Sequence, residues 1–171
     1  MRKKTAVIRL VGAVLAAGAL VTIQVPSASA SSGWRLQNVN SLKYLEIGGW
    51  STANGATANQ WDPTGGPNQS WDLYYADTNS GLTIKNDHSG KCLEIADWRT
   101  DNGAPARQWD CTGGKNQQWD HVWLSDTSNV MLLVNRNSGK CLEIADWRTD
   151  NGAPARQWDC TGGANQKWNQ S

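Results

Sequence analysis

The sequence predicts an all-β, barrel-like fold assembled from three copies of one unit. A segment recurs three times, its hydrophobic alternation has period two, and turn dipeptides punctuate it at matching places. The segments are Tyr44–Asp72, Cys92–Asp120 and Cys141–Asn169, offset by 48 and then 49 residues. Lys91–Gly114 returns unchanged as Lys140–Gly163, 24 identical residues. Strand-period repeats that close on one another bury a shared core and leave few sheet edges exposed.

The chain opens with Arg2, Lys3, Lys4 and Arg9, followed by an apolar run from Leu10 to Val21 and then Pro26-Ser-Ala-Ser-Ala30. A basic start, a short apolar stretch and a small-residue Ala28-x-Ala30 site form the pattern of a cleaved secretory leader. The run is shorter than the roughly 20 residues a spanning helix needs. Residues 1–30 are therefore expected to be removed on export, leaving 31–171 as one domain. The leader carries four of the sixteen Lys and Arg and none of the fifteen Asp and Glu, so the remainder has a net charge of −3. A mildly acidic domain without a basic cluster argues against nucleic acid and against membrane insertion as partners.

Within 31–171 the repeats run over about 34–76, 82–125 and 131–171, with four short strands each. In the second repeat the strands centre on Leu82–Lys85, Lys91–Ile95, Ala106–Asp110 and Gln118–Trp123. Leu93 and Ile95 share one face of their strand, Cys92 and Glu94 the other. Ser89-Gly90, Asn102-Gly103 and Gly113-Gly114 mark the turns. Trp34-Arg-Leu36, Leu82-Thr-Ile84 and Met131-Leu-Leu133 open the three units. The last strand, ending at Ser171, is shorter than its equivalents, and barrel closure or the third repeat is expected to suffer.

The cysteines follow the repeat. Cys92 and Cys111 are 19 apart, as are Cys141 and Cys160, while the first repeat has Tyr44 and Pro63 at both positions. Loss of both together predicts Cys92–Cys111 and Cys141–Cys160 bonds, which persist in an exported protein. A zinc site is disfavoured because no His falls at repeat-equivalent positions; neither metal nor cofactor is expected.

Each unit ends in Gln-x-Trp: Gln69-Ser-Trp71, Gln117-Gln-Trp119 and Gln166-Lys-Trp168. With the Cys-Leu-Glu-Ile strand and the Gly-Gly-x-Asn stretch, the region from Trp34 onward resembles the ricin B-type lectins, also used as carbohydrate-binding modules. The resemblance implies a β-trefoil with up to three sugar pockets and glycans as partners. Its pocket carboxylate falls on Glu46, Glu94 and Glu143, where the family more often has Asp. Its stacking aromatic falls on Trp61, Trp109 and Trp158. The polar residue two positions earlier is Asn59, Arg107 or Arg156, where the family commonly has Gln. The Asn-Gln pair gives Asn68/Gln69, Asn116/Gln117 and Asn165/Gln166. A Cys92–Cys111 bond would place Glu94 and Trp109 on one side, where an indole can stack on a sugar's C–H face beside a hydroxyl acceptor.

The remaining aromatics divide. Trp71, Trp119 and Trp168 read as core, with the motif Gln holding backbone groups inside. Trp50, Trp98 and Trp147 either wall the pocket or pack on the Asn-Gly turn. Trp34 and Trp123, without partners of the same type, read as core. Glu94 and Asp97 have the makings of an acid/base pair, but the pair recurs as Glu143/Asp146. Catalysis needs one asymmetric site, whereas binding gains from copies. His88 and His121 lack histidine counterparts. The expectation is a secreted, monomeric, non-enzymatic carbohydrate binder; the alternative is a protein-binding trefoil such as a secreted protease inhibitor.

Overall fold

The computed structural model describes residues 33–77, 79–125 and 128–171, so the leader lies outside the described residues. These hold twelve strands and only single turns of 3-10 helix. The first repeat contributes β1 (Leu36–Asn38), β2 (Tyr44–Ile47), β3 (Ala58–Trp61) and β4 (Trp71–Tyr75). The second contributes β5 (Leu82–Asn86), β6 (Cys92–Ile95), β7 (Ala106–Trp109) and β8 (Gln118–Trp123). The third contributes β9 (Val130–Asn135), β10 (Cys141–Ile144), β11 (Ala155–Trp158) and β12 (Trp168–Gln170).

Six strands close the barrel. Antiparallel ladders run β1–β12–β9–β8–β5–β4, and a Trp34–Trp71 bridge joins the last to the first. The hairpins β2–β3, β6–β7 and β10–β11 cap the barrel at the end where β1, β5 and β9 finish. This is a β-trefoil. The short β12 still pairs on both sides, Leu36 opposite Gln170 and Trp168 opposite Met131. Arg35 and Ser171 exchange backbone bonds of 2.8 and 3.1 Å, so the expected weakness in closure is absent.

The core follows the period-two pattern. Leu45, Ile47, Leu93, Ile95, Leu142 and Ile144 are fully buried beneath Trp71, Trp119 and Trp168. Each of these indoles donates to a strand carbonyl, of Leu45, Leu93 or Leu142, at 3.0 to 3.2 Å. A buried Trp thereby satisfies its only polar atom. Trp34 and Trp123 correct the sequence reading: they are 45% and 43% exposed. They stand at the open mouth of the barrel, where Leu82 and Met131 already fill the space at the positions equivalent to Trp34. The two disulfides join Cys92 to Cys111 and Cys141 to Cys160.

Buried amides lock the repeats into a ring. Gln60 of repeat one donates to the carbonyls of Arg148 and Asp150 in repeat three. Gln108 does the same to Ser51 and Ala53 of repeat one, and Gln157 to Arg99 and Asp101 of repeat two. Each loop after the first hairpin strand is therefore held by the following repeat in the cycle.

Candidate functional site

In the second repeat the β6–β7 register sets Cys92 opposite Trp109 and Glu94 opposite Arg107, with Leu93 and Ile95 turned to the core. Glu94, Arg107 and Trp109 thus occupy the outer face together. Arg107 Nε donates to Glu94 Oε1 at 2.9 Å and its Nη2 to Asp97 Oδ1 at 2.8 Å. The guanidinium lies 4.6 Å from the centre of the Trp109 ring, a cation–π distance. Glu94 Oε2 accepts from Asn116 Nδ2 at 3.2 Å and Gln117 Nε2 at 3.0 Å. A carboxylate only 4% exposed is tolerated because a cation and two amides share its charge.

Beyond β6 the chain turns sharply. Asp97 and Trp98 both have φ of 56°, a left-handed conformation uncommon outside Gly. Three contacts hold this turn. Asp97 is bonded to Arg107, the Trp98 carbonyl accepts from Asn137 Nδ2 of the third repeat at 3.0 Å, and the Trp98 ring rests on Gly114. A Cβ at Gly114 would come within 2.7 Å of that ring and of Asn116 Oδ1, so only Gly fits. Trp98 is left 55% exposed. A shallow cavity of about 170 Å³ results, lined by Glu94, Asp97, Trp98, Arg107, Trp109, Thr112 and Asn116.

The third repeat builds the same site. Arg156 bonds Glu143 and Asp146 at 2.9 Å each and lies 4.5 Å from the Trp158 ring centre. Asn165 and Gln166 donate to Glu143 Oε2. The corresponding cavity is about 270 Å³.

The first repeat differs. Asn59 replaces the arginine opposite Glu46, and Gly49 replaces the aspartate. Glu46 accepts from Asn68 and Gln69 at 3.2 and 3.1 Å but has no cation. Burial pushes its carboxyl above the usual glutamate value, the two amides partly opposing that. Trp61 and Trp50 are 41% and 52% exposed there.

The structure thus brings Glu94, Arg107, Trp109 and Asn116 together, and equally Glu143, Arg156, Trp158 and Asn165. It does not bring Gln69, Gln117 or Gln166 to a pocket wall. Gln117 is 2% exposed and fully used: Nε2 also donates to the Asp110 carbonyl and Oε1 accepts from Thr112. These glutamines donate to the carboxylate, as the asparagines do, without lining the cavity. Sequence reasoning missed Thr112 and Thr161, repeat-equivalent pocket-lining residues, and weighed Asp97 and Asp146 as halves of an acid/base pair, whereas both line the pockets. Trp98 and Trp147 resolve as pocket walls. It also read His88 as lacking a counterpart. Its Nε2 lies 3.1 Å from the Trp50 carbonyl, the place that Asn137 takes toward Trp98 and Asn40 toward Trp147.

Among the described residues no helix is long and apolar enough to cross a membrane, and no group of three or more His, Cys, Asp or Glu is placed to hold a metal. Comparison with curated proteins gives no match. Among solved structures, the designed threefold-symmetric protein ThreeFoil is 36% identical with a TM-score of 0.76, covering 80% of this chain and 96% of that one. An exo-β-1,3-galactanase from Clostridium thermocellum is 30% identical with a TM-score of 0.77, over 82% of this chain and 30% of that one. The Macrolepiota procera ricin B-like lectin, solved with lactose, shares the fold at 18% identity and a TM-score of 0.68, over 81% and 93% of the two chains. The model of the ricin-type beta-trefoil lectin domain-like family matches residues 22–109, 75–158 and 115–171. The chain belongs to the ricin-type β-trefoil lectin family.

Proposed function

We propose that this is a secreted carbohydrate-binding lectin or module, with up to three shallow sugar pockets and no chemistry of its own. The observation that carries the reading is the recurrence, in the second and third repeats, of one constellation: a buried carboxylate, an arginine bridging it to a second carboxylate, and two indoles lining the same cavity. Carboxylate oxygens accept from vicinal hydroxyls, free guanidinium hydrogens donate, and indole faces take up C–H surface. The cavities are shallow enough for one or two sugar units each. The galactanase match is to 30% of that enzyme's length, and its activity is not carried over. Against catalysis here, one guanidinium ties both carboxylates of the second and of the third site, and the arrangement is duplicated where an enzyme needs two separated pKa values. Residues 1–30 serve as the export leader, so N-terminal sequencing of protein recovered from the medium should begin at Ser31.

A glycan array followed by titration tests the reading. Free monosaccharide should bind with Kd on the order of 0.1–1 mM, and a polysaccharide roughly 100-fold more tightly through simultaneous engagement. Absence of any glycan signal alongside inhibition of a protease would establish the protein-binding trefoil instead.

A further inference from the structure

The barrel mouth, at the opposite end from the hairpin cap, holds a second kind of cavity. It measures about 260 Å³, and all three repeats contribute to it. Leu82 and Met131 form its buried floor. The third position equivalent to these two carries Trp34, too large for the floor and half-exposed at the rim. Tyr75 and Trp123, at the ends of β4 and β8, complete an aromatic wall, 50% and 43% exposed. Closing a barrel requires none of these exposed rings, and a cluster of them on a small domain marks a binding surface.

The polar groups decide what binds. Tyr75 Oη lies 2.7 Å from His121 Nδ1, and the imidazole meets Trp123 edge-on with centroids 5.4 Å apart. His121 is engaged through Nδ1, which leaves Nε2 to a ligand, and His121 and Gln170 both line the cavity. No Asp, Glu, Lys or Arg lines the cavity. An apolar protein surface would leave these hydrogen-bonding groups unpaired, at a desolvation penalty. A charged ligand would find no counter-charge.

We propose that the barrel mouth is a fourth saccharide site, independent of the three pockets, taking an uncharged pyranose residue. Its apolar face stacks on Trp34 or Trp123, and its hydroxyls meet His121 Nε2, Gln170 and Tyr75 Oη. The test is proton–nitrogen NMR of the eleven indole N–H signals. Trp34→Leu, which installs the residue used in the second repeat, and Trp123→Val assign the two reporters. The exported protein is titrated with neutral trisaccharides of galactose, glucose, mannose or xylose. At least one should shift Trp34 and Trp123 along a single saturation curve. Tyr75→Phe should raise the Kd of that curve by about 3- to 10-fold, and Trp34→Leu should leave the responses of Trp98 and Trp109 unchanged. The proposal is overturned if no trisaccharide moves the two signals. It is equally overturned if they move with protein concentration alone, which would make the mouth a contact between two copies.

Discussion

Replacing Trp98 and Trp147 by Ala tests which indole carries the sugar. In the second and third pockets, Trp109 and Trp158 have a guanidinium over one face, whereas Trp98 and Trp147 are 55% and 56% exposed. A Trp residue offers roughly 250 Å² of surface, so about 140 Å² of Trp98 faces solvent, and one sugar face would cover about half of that. At about 25 cal/mol per Å² the contact contributes about 1.7 kcal/mol, a 10- to 20-fold change in Kd. Folding should shift by less than about 1 kcal/mol, because the side chain is outside the core and Ala carries the same left-handed backbone. Calorimetric titration with the preferred monosaccharide should show each single variant keeping one normal pocket of the pair and the double variant keeping neither. A double variant that binds like the wild type would show the reasoning to be wrong. Trp98 would then be only a strut on Gly114, with Trp109 and Trp158 as the sole platforms.

Three further outcomes are expected. Trp119→Ala should destabilise the fold by about 3–5 kcal/mol in urea unfolding, since it empties a fully buried site and strips the Leu93 carbonyl of its donor; a normal midpoint would remove Trp119 from the core. Glu94→Gln should cost about 2–3 kcal/mol by removing a charged partner of Arg107, while Glu46→Gln should stabilise at pH 7. Burial raises the Glu46 pKa in the folded state, so ionisation opposes folding as pH rises past the ordinary value of 4.5. Thermal melts from pH 4 to pH 7 should show the Glu46→Gln gain at the upper end and none at the lower; a gain independent of pH would contradict this. Peptide mapping without reduction should link Cys92 to Cys111 and Cys141 to Cys160, and Cys92→Ala with Cys111→Ala should cost about 3 kcal/mol for a loop of that length; a Cys92–Cys160 link would contradict the pairing.

Strands and disulfides were legible in the sequence because both depend on local pattern. Alternation placed Leu93 and Ile95 inside, and the joint absence of two cysteines from the first repeat paired the other four. The floor of the site was legible through the family resemblance, which named Glu94, Arg107 and Trp109, and strand parity with the Cys92–Cys111 bond agreed in placing Glu94 and Trp109 on one side. What escaped is set by contacts between repeats. Trp34 and Trp123 are aromatic at positions beside the barrel floor, and hydrophobicity does not reveal that Leu82 and Met131 have already taken the space. His88 does the work of an Asn, a likeness of donor geometry that residue identity hides. Gln117 was grouped with the pocket through the Asn-Gln pair of the family motif, yet, although both amides donate to Glu94 Oε2, Asn116 lines the cavity while Gln117 is spent on the Asp110 carbonyl and Thr112.

The ring of cross-repeat bonds makes ownership of each pocket ambiguous. The wall Trp147 belongs to the third repeat by sequence, but its carbonyl is held by Asn40 of the first; Trp98 depends likewise on Asn137, and Trp50 on His88. A pocket is thus a joint product of two repeats. An isolated 48-residue unit would carry all the side chains of a site and still lack the brace that sets its wall. Engineering one pocket's preference therefore means editing a pair of repeats, and a silent-looking change such as Asn40→Ala in the first would be felt as a defect in the third.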